Sequence, residues 1–399
     1  MTTTSPATSS TETEQHGFKA HSDGGDAFVP VQTRSERFAS TDVAAFPAVT
    51  GREPAWKYTP VAQLADLIDG ELDGSEYPFE APAVDGVAVA WVGRDDKRIG
   101  TAGTPENKAA ANAWTAFEKA LVISVTGEEE KTFRLHRSAL GDTARAAHTV
   151  IEAAPHSRAL VILENAGQAA LTENIEIIVG DGAQLTVVSV QEWAEDARHL
   201  AEHFAEIGRD AKLKHVAVTL GGKIVRVNPS THLGSQGADI ESLGVYFADA
   251  HQHLEQHVYV DHDAENTRSR VSYKGALQGE GAHTVWIGDV LIRQTGTATD
   301  SYEENRNLVL SEGTRADSVP NLEIETGDIA GAGHASATGR FDDEQLFYLM
   351  ARGIAEADAR RLVVHGFLVE IIQRIGDAEL GERIEAAIER ELAAGDLQS

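Results

Sequence analysis

PNLEIETGDIAGAGHASATG, residues 320–339, decides how the rest of the chain is read. It opens on a short apolar strand, Leu322–Ile324, and passes into a run of glycine and alanine that holds a single histidine, His334. Directly after it, FDDEQLFYLMARG (341–353) begins with acidic residues suited to a helix N-terminus and continues with the spacing of an amphipathic helix. A β-rich region therefore ends here and a helical one starts, with His334 in a Gly/Ala turn at the seam. The small neighbours Gly333 and Ala335 let another backbone or a partner come close to the imidazole.

Upstream, short Val/Ile-rich runs follow one another from Ala120: ALVISV, ALVILE, IEIIVG, AQLTVVSV, KHVAVTL, KIVRVN, QHVYVDH, SRVSYKG, HTVWIGDVLI, RNLVLS and NLEI. Glycine-rich turns such as GDGA (180–183), LGGK (220–223) and QGEGA (278–282) separate them. After about residue 208 no long helical pattern intervenes, which argues against βαβ units and leaves a sandwich, a barrel or a parallel β-helix. No strict repeat of residue identity is visible. Neither GDGA nor LGGK has the spacing of a phosphate-binding loop, so both read as turns and ATP hydrolysis is not expected of this chain.

Residues 1–45, rich in Ser, Thr, Gly and Asp, read as a mobile tail. Residues 46–118 form a mixed helical region. In it Thr59 is expected to cap a short helix with Pro60 in its first turn and Leu64, Leu67 and Ile68 on one face, and Asn107–Lys119 to form a second. Trp56 and Tyr58 of PAWKYT read as aromatic anchors rather than a binding site. The β region spans 119–338 and the helical one 339–399. In the latter, Val364, Leu368, Ile371 and Ile375 line a helix from about residue 357 to 375, widened by Val363 and Phe367, and a last helix covers about 380–394. That apolar stripe is broader than one packing neighbour requires.

Composition narrows the function. The 399 residues are 42% hydrophobic and 24% charged, with a formal net charge of -29. So acidic a surface repels nucleic-acid phosphates and anionic membranes. There is no cysteine, so the chain supplies no thiolate and can offer a metal only imidazole or carboxylate. The first residues carry neither a basic start nor an apolar run, and the expected location is cytoplasmic.

Among the 16 histidines, His251, His253 and His257 would share one face of a strand near Asp261 and His262. That grouping suits a solvated, pH-sensitive face better than a metal site. His199 and His203 would share a face of a helix, but HLAEH lacks the order of zinc-protease ligands. Asp261, Asp263, Asp300 and Glu303 are the carboxylates available to an alternative reading, a carbohydrate-active β-helix enzyme (polysaccharide lyase or hydrolase).

The runs YKGALQGEGAHTVWIGDVLI, DSYEENRNLVLSEGTRADSVPNLEI and GAGHASATGRFDDEQLFYLMARGI, and more weakly PAWKYT, resemble the SufB/SufD family of the SUF iron–sulfur cluster assembly system, in particular its SufD branch. The resemblance implies a mainly β protein: a right-handed parallel β-helix core between an N-terminal helical region and a C-terminal helical domain. It places Trp193–Ile207, which reads locally as helix, within the β region. It further implies a non-catalytic scaffold that pairs with SufB through the β-helix in a SufBCD complex, with ATP hydrolysis by SufC docked on the C-terminal helices. Leu346, Leu349, Met350, Arg352, Val364, Phe367, Leu368 and Ile371 are the candidate docking residues, and His334 is the candidate ligand for iron or a nascent cluster. Where some relatives carry a cysteine two residues before this histidine, the chain has Ala332. No cofactor is then expected on this chain alone, only a cluster shared with SufB.

Overall fold

The computed structural model describes residues 37–341 and 343–396. Two 3-10 turns, Val43–Ala45 and Val61–Gln63, precede helix α1 (Ala65–Asp69), strand β1 (Val87–Gly93) and helix α2 (Lys108–Ala116). Then come β2 (Lys119–Val125), β3 (Lys131–Arg137), β4 (Gly141–Ala153), β5 (Arg158–Gly167), β6 (Ala169–Val179), β7 (Gln184–Trp193), β8 (Arg198–Ile207) and β9 (Lys212–Thr219). They are followed by β10 (Ile224–Leu233), β11 (Asp239–Ala248), β12 (His253–His262), β13 (Arg268–Leu277), β14 (His283–Ile292), β15 (Thr299–Val309), β16 (Arg315–Ile324) and β17 (Ile329–Arg340). Three helices close the described chain: α3 (Asp343–Met350), α4 (Glu356–Gln373) and α5 (Ala378–Asp396).

The even-numbered strands form one sheet, β2 through β16, with β1 antiparallel on its first edge; the odd-numbered strands, β3 through β17, form the other. Each strand from β2 to β15 pairs in parallel with the strand two places on, so the chain winds through about eight coils of a parallel β-solenoid. Ile224 lies beside His253, His253 beside His283 and His283 beside Arg315, a period of 29 to 32 residues. Stacking asks for matched burial rather than matched identity, which is why no residue repeat marks the coils.

The turns stack as well. His156, Gly182, Asp210, Gly237, Asn266 and Ala298 all have positive φ. The N–H of each bonds to a carbonyl in the equivalent turn of the next coil, as from Gly182 to Arg209, Asp210 to Gln236 and Asn266 to Thr297. GDGA is thus a left-handed turn, and a Cβ on Gly182 would lie 2.4 Å from His156 Nδ1.

Inside the solenoid, one core joins residues of both sheets, among them Leu121, Ile151, Val161, Ile177, Val187 and Val225. Outside the odd sheet, Ile162, Val188, Val216 and Val245 pack on Val364, Leu368, Ile371 and Ile384. Those strands are buried on both faces, which explains their almost continuous apolar runs. The broad stripe on α4 is used up by this sheet and by α5. Outside the even sheet, Trp56, Leu64, Leu67 and Ile68 cover Ala170, Leu200 and Ile224.

Several expectations change. Thr59 caps no helix: Pro60 precedes the 3-10 turn, and the Thr59 hydroxyl donates to Glu255 instead, at 2.9 Å. His251 lies in a left-handed turn before β12, so it does not share a face with His253 and His257. His334 stands in a strand, β17, not in a turn. Within the 193–207 segment, Trp193 ends β7, a turn follows, and Arg198–Ile207 is extended as β8 between β6 and β10. Of the expected tail, residues 1–36 lie outside the described residues, as does Asp342 among the acidic residues before α3; Val43–Ala45 form a 3-10 turn.

Candidate functional site

The last coil is built from β16 and β17, each the terminal strand of its sheet. Pro320 lies in β16, where a residue without an N–H is tolerated because one side of the strand has no ladder to serve. Most of β16 and β17 is half-buried or exposed, in contrast to the sealed strands behind them.

His334 stands on β17 in register with Glu303 of β15, and Ala332, Ser336 and Thr338 stand beside Ser301, Asn305 and Asn307. On β15 these odd positions are the buried ones, so His334 belongs to the row that faces the inside of the coil. Because no further coil follows among the described residues, its side chain is 44% exposed while that of Glu303 is 1% exposed. His334 Nδ1 is 3.8 Å from Glu303 Oε1. Gly288 makes room for that carboxylate, since a Cβ there would lie 2.3 Å from Glu303 Oε2 and equally close to the Trp286 ring. Gly333 passes under Tyr302, whose ring would be 3.3 Å from an added Cβ.

Behind the pair, the coil interior is polar and tied together. Tyr246 donates to Asn307 Oδ1 at 2.6 Å, and Asn305 donates to the Tyr246 oxygen at 2.7 Å. Asn307 Nδ2 donates to Asn305 and Ser318, both at 2.9 Å. Further along the interior, Arg137 makes a bidentate pair with Glu173, which also receives His199 Nε2 at 2.8 Å. Trp193 donates to His199 Nδ1, so a neutral His199 carries its proton on Nε2, toward the carboxylate. His203 Nδ1 and His215 Nε2 meet at 2.8 Å; burial holds both well below the usual histidine range, His215 at about 4. None of these histidines is accessible, so the HLAEH segment is a structural strand.

His253 and His257 do not form a solvated face. They flank Glu255, with Nε2 distances of 2.8 and 2.6 Å, and Thr59 and Arg226 approach the same carboxylate. Burial alone would raise Glu255, but Arg226 and the two imidazoles outweigh it and hold it well below the carboxylate range. Trp56 stacks over Arg226 at 4.1 Å, so PAWKYT anchors the N-terminal region on this buried ionic hub. Among the described residues no group of three or more His, Asp or Glu stands ready to hold a metal ion.

The carboxylates considered for sugar chemistry are dispersed. Asp261, on the even sheet, is locked bidentately by Arg293, and Asp263 accepts from Thr295. Asp300 pairs with Arg270 on the odd sheet, and Glu303 is enclosed in the coil. They do not line one groove.

Of the candidate docking residues, Val364, Leu368 and Ile371 are wholly buried and Leu346 is buried, so these side chains hold α3 and α4 in place. Phe367 is partly buried beneath Lys274, and Leu349 is half-buried. Met350 is exposed, and Arg352 stacks on Tyr348 at 4.1 Å. On α3 and α4, Phe347, Tyr348 and Leu362 are exposed apolar side chains that the sequence reading did not single out. Phe347, 73% exposed, adjoins the buried Leu346 in α3. Among the described residues no helix is long and apolar enough to cross a membrane.

Residues 135–367 match the SufBD core domain of SUF system FeS cluster assembly. The chain is similar to an iron–sulfur cluster assembly SufBD family protein of Mycobacterium leprae, 46% identical over 372 residues that cover 91% of this chain and 95% of the relative. It is similar to one of Mycobacterium tuberculosis, 46% identical over 369 residues, covering 90% and 93%. Iron–sulfur cluster assembly protein SufD of Escherichia coli is 28% identical over 200 residues, covering 49% and 47%.

Proposed function

The chain belongs to the SufBD family of SUF iron–sulfur cluster assembly, and from that premise we propose that it is a non-catalytic, SufD-type scaffold subunit. In this reading it pairs with a SufB-type subunit through the open end of the solenoid. It docks a SufC-type ATPase, which performs the hydrolysis, on its C-terminal helices. It brings His334 to a nascent cluster whose thiolates come from the partner. The observation that carries the proposal is the position of His334: exposed, on a terminal strand, at a coil end that no further strand covers among the described residues, in a chain without cysteine. Unpaired strand edges are templates for another chain's strands. An imidazole in such a seam is a weaker iron ligand than a thiolate, and a cluster under construction needs one ligand that can let go. The helical contact would use Phe347, Tyr348, Met350 and Leu362 rather than the buried stripe of α4.

The test is co-expression with a SufB-type and a SufC-type subunit. His334→Ala is expected to leave the complex intact and to lower its iron and sulfide content. The paired substitution Ala335→Lys and Ala337→Lys, on the terminal strand, is expected to release the SufB-type subunit. Undiminished cluster content with His334→Ala refutes the ligand role, and a complex unaffected by the two lysines refutes the edge pairing.

A further inference from the structure

We propose that Glu303 is a second ligand contributed by this chain, and that His334 and Glu303 together form a nitrogen–oxygen half-site for ferrous iron. This rests on the reading of His334 given above and adds a second residue to it. The two side chains come from neighbouring strands in register, β17 and β15, and point into the same open coil. At 3.8 Å, Nδ1 and Oε1 are too far apart to be hydrogen-bonded to each other. Two donors each about 2.1 Å from one tetrahedral ion stand roughly 3.4 Å apart, so a shift of a few tenths of an ångström places a metal between them. The backbone makes room for this carboxylate, because any side chain at Gly288 would run into Glu303 Oε2. Burial in the coil lowers the local dielectric and strengthens the pull of the carboxylate on a cation held at the exposed imidazole. Imidazole with carboxylate is a donor set that ferrous iron accepts, whereas soft thiolates are absent from this chain. Two ligands leave coordination positions open, to be filled by water and then by the sulfur of a partner.

The full-length chain, purified without oxygen, would be titrated with Fe2+ and, as a spectroscopic probe, with Co2+. Wild type is expected to give a Co2+ absorption band that Glu303→Gln and His334→Ala each weaken at least tenfold in affinity. Glu303→Gln keeps the shape of the side chain, and its melting temperature is compared with that of wild type. Glu303→Asp, which keeps the charge but draws the carboxylate back by one methylene, is expected to weaken Co2+ binding in the same way, and its melting temperature is compared with that of wild type as well. Co2+ affinity and band unchanged in both Glu303→Gln and Glu303→Asp overturn the assignment of Glu303. If His334→Ala lowers cluster content in the co-purified complex while Glu303→Gln does not, the half-site is wrong and the His334 reading stands. If neither variant changes cluster content, both are wrong.

Discussion

Lowering the pH should weaken this fold through histidines that the solenoid keeps neutral, and His262 gives the cleanest measure. It is wholly buried at the end of β12, with Nδ1 2.8 Å from the Thr267 hydroxyl and Nε2 2.9 Å from that of Ser269. Burial pushes it down to about 3, from an ordinary value of 6.5. Its neutral form is the one folded into the coil, so its contribution is fully present above pH 6.5. That contribution falls as the unfolded chain takes up a proton the folded chain refuses, and the loss continues until pH approaches 3. At pH 5 the unfolded imidazole is almost fully protonated and the folded one is not, so the loss relative to pH 8 is about 2 kcal/mol. His215, held at about 4 by burial, adds about 2 kcal/mol by the same reasoning. Urea unfolding at pH 8 and pH 5 would compare wild type with His262→Asn. The quantity read is the difference between the two pH values, so a constant cost of the substitution cancels. The variant should lose about 2 kcal/mol less than wild type on acidification. An identical loss in both proteins would refute the account of His262.

Three further outcomes are expected. Thr59→Val removes the hydroxyl that both oxygens of the buried Glu255 accept, and should cost about 1.5–3 kcal/mol in urea unfolding; a loss below about 0.5 kcal/mol would show that the hub does not depend on it. Leu368→Ala opens a hole between α4 and the odd-numbered sheet and should cost about 2–5 kcal/mol by the same measurement. Phe347→Ser should leave the melting temperature unchanged, because its side chain is largely exposed, while reducing retention of a SufC-type subunit on co-purification.

The strand content and the change to helix after residue 340 were legible because apolar periodicity survives in both regions. Where the sequence misled, a long-range partner had overridden a local preference. RHLAEHFAEI reads as helix, yet β6 and β10 hold it extended on either side, and its alternating residues serve two cores: Ala201, Ala205 and Ile207 inside the coil, Leu200 beneath the N-terminal region. IAGAGHASATGR has little intrinsic strand preference and becomes β17 only because β15 offers a ladder. Thr59 had the residue type of a helix cap, but its partner Glu255 lies 196 positions away. In the site, His334 could be singled out from its glycine and alanine neighbours. Glu303 could not be matched to it, because that match depends on the coil period, and the period leaves no mark in residue identity. The width of the α4 stripe was readable, whereas the surfaces that cover it became visible only when sheet and α5 closed over Val364, Leu368 and Ile371.

The two ends of the solenoid are treated differently, and the difference bears on function. At the first coil, β1 lies antiparallel along β2, with Val87 through Gly93 closing that edge of the sheet, while Glu80 bridges to His136 on β3. At the last coil, among the described residues, no strand closes β16 or β17 in that way. A sheet edge left open is an aggregation hazard, and proteins that keep one usually blunt it with lysine, with proline or with a bulge. Here β16 carries Pro320, and β17 is made mostly of glycine, alanine, serine and threonine, which present backbone with little side-chain bulk. The net charge of -29 opposes the meeting of two copies at long range. A partner with a complementary edge and less acidic charge would meet no such opposition. An edge protected from its own copies yet low enough in bulk for close approach is what the proposed heterodimeric seam would require, and His334 stands on that edge strand.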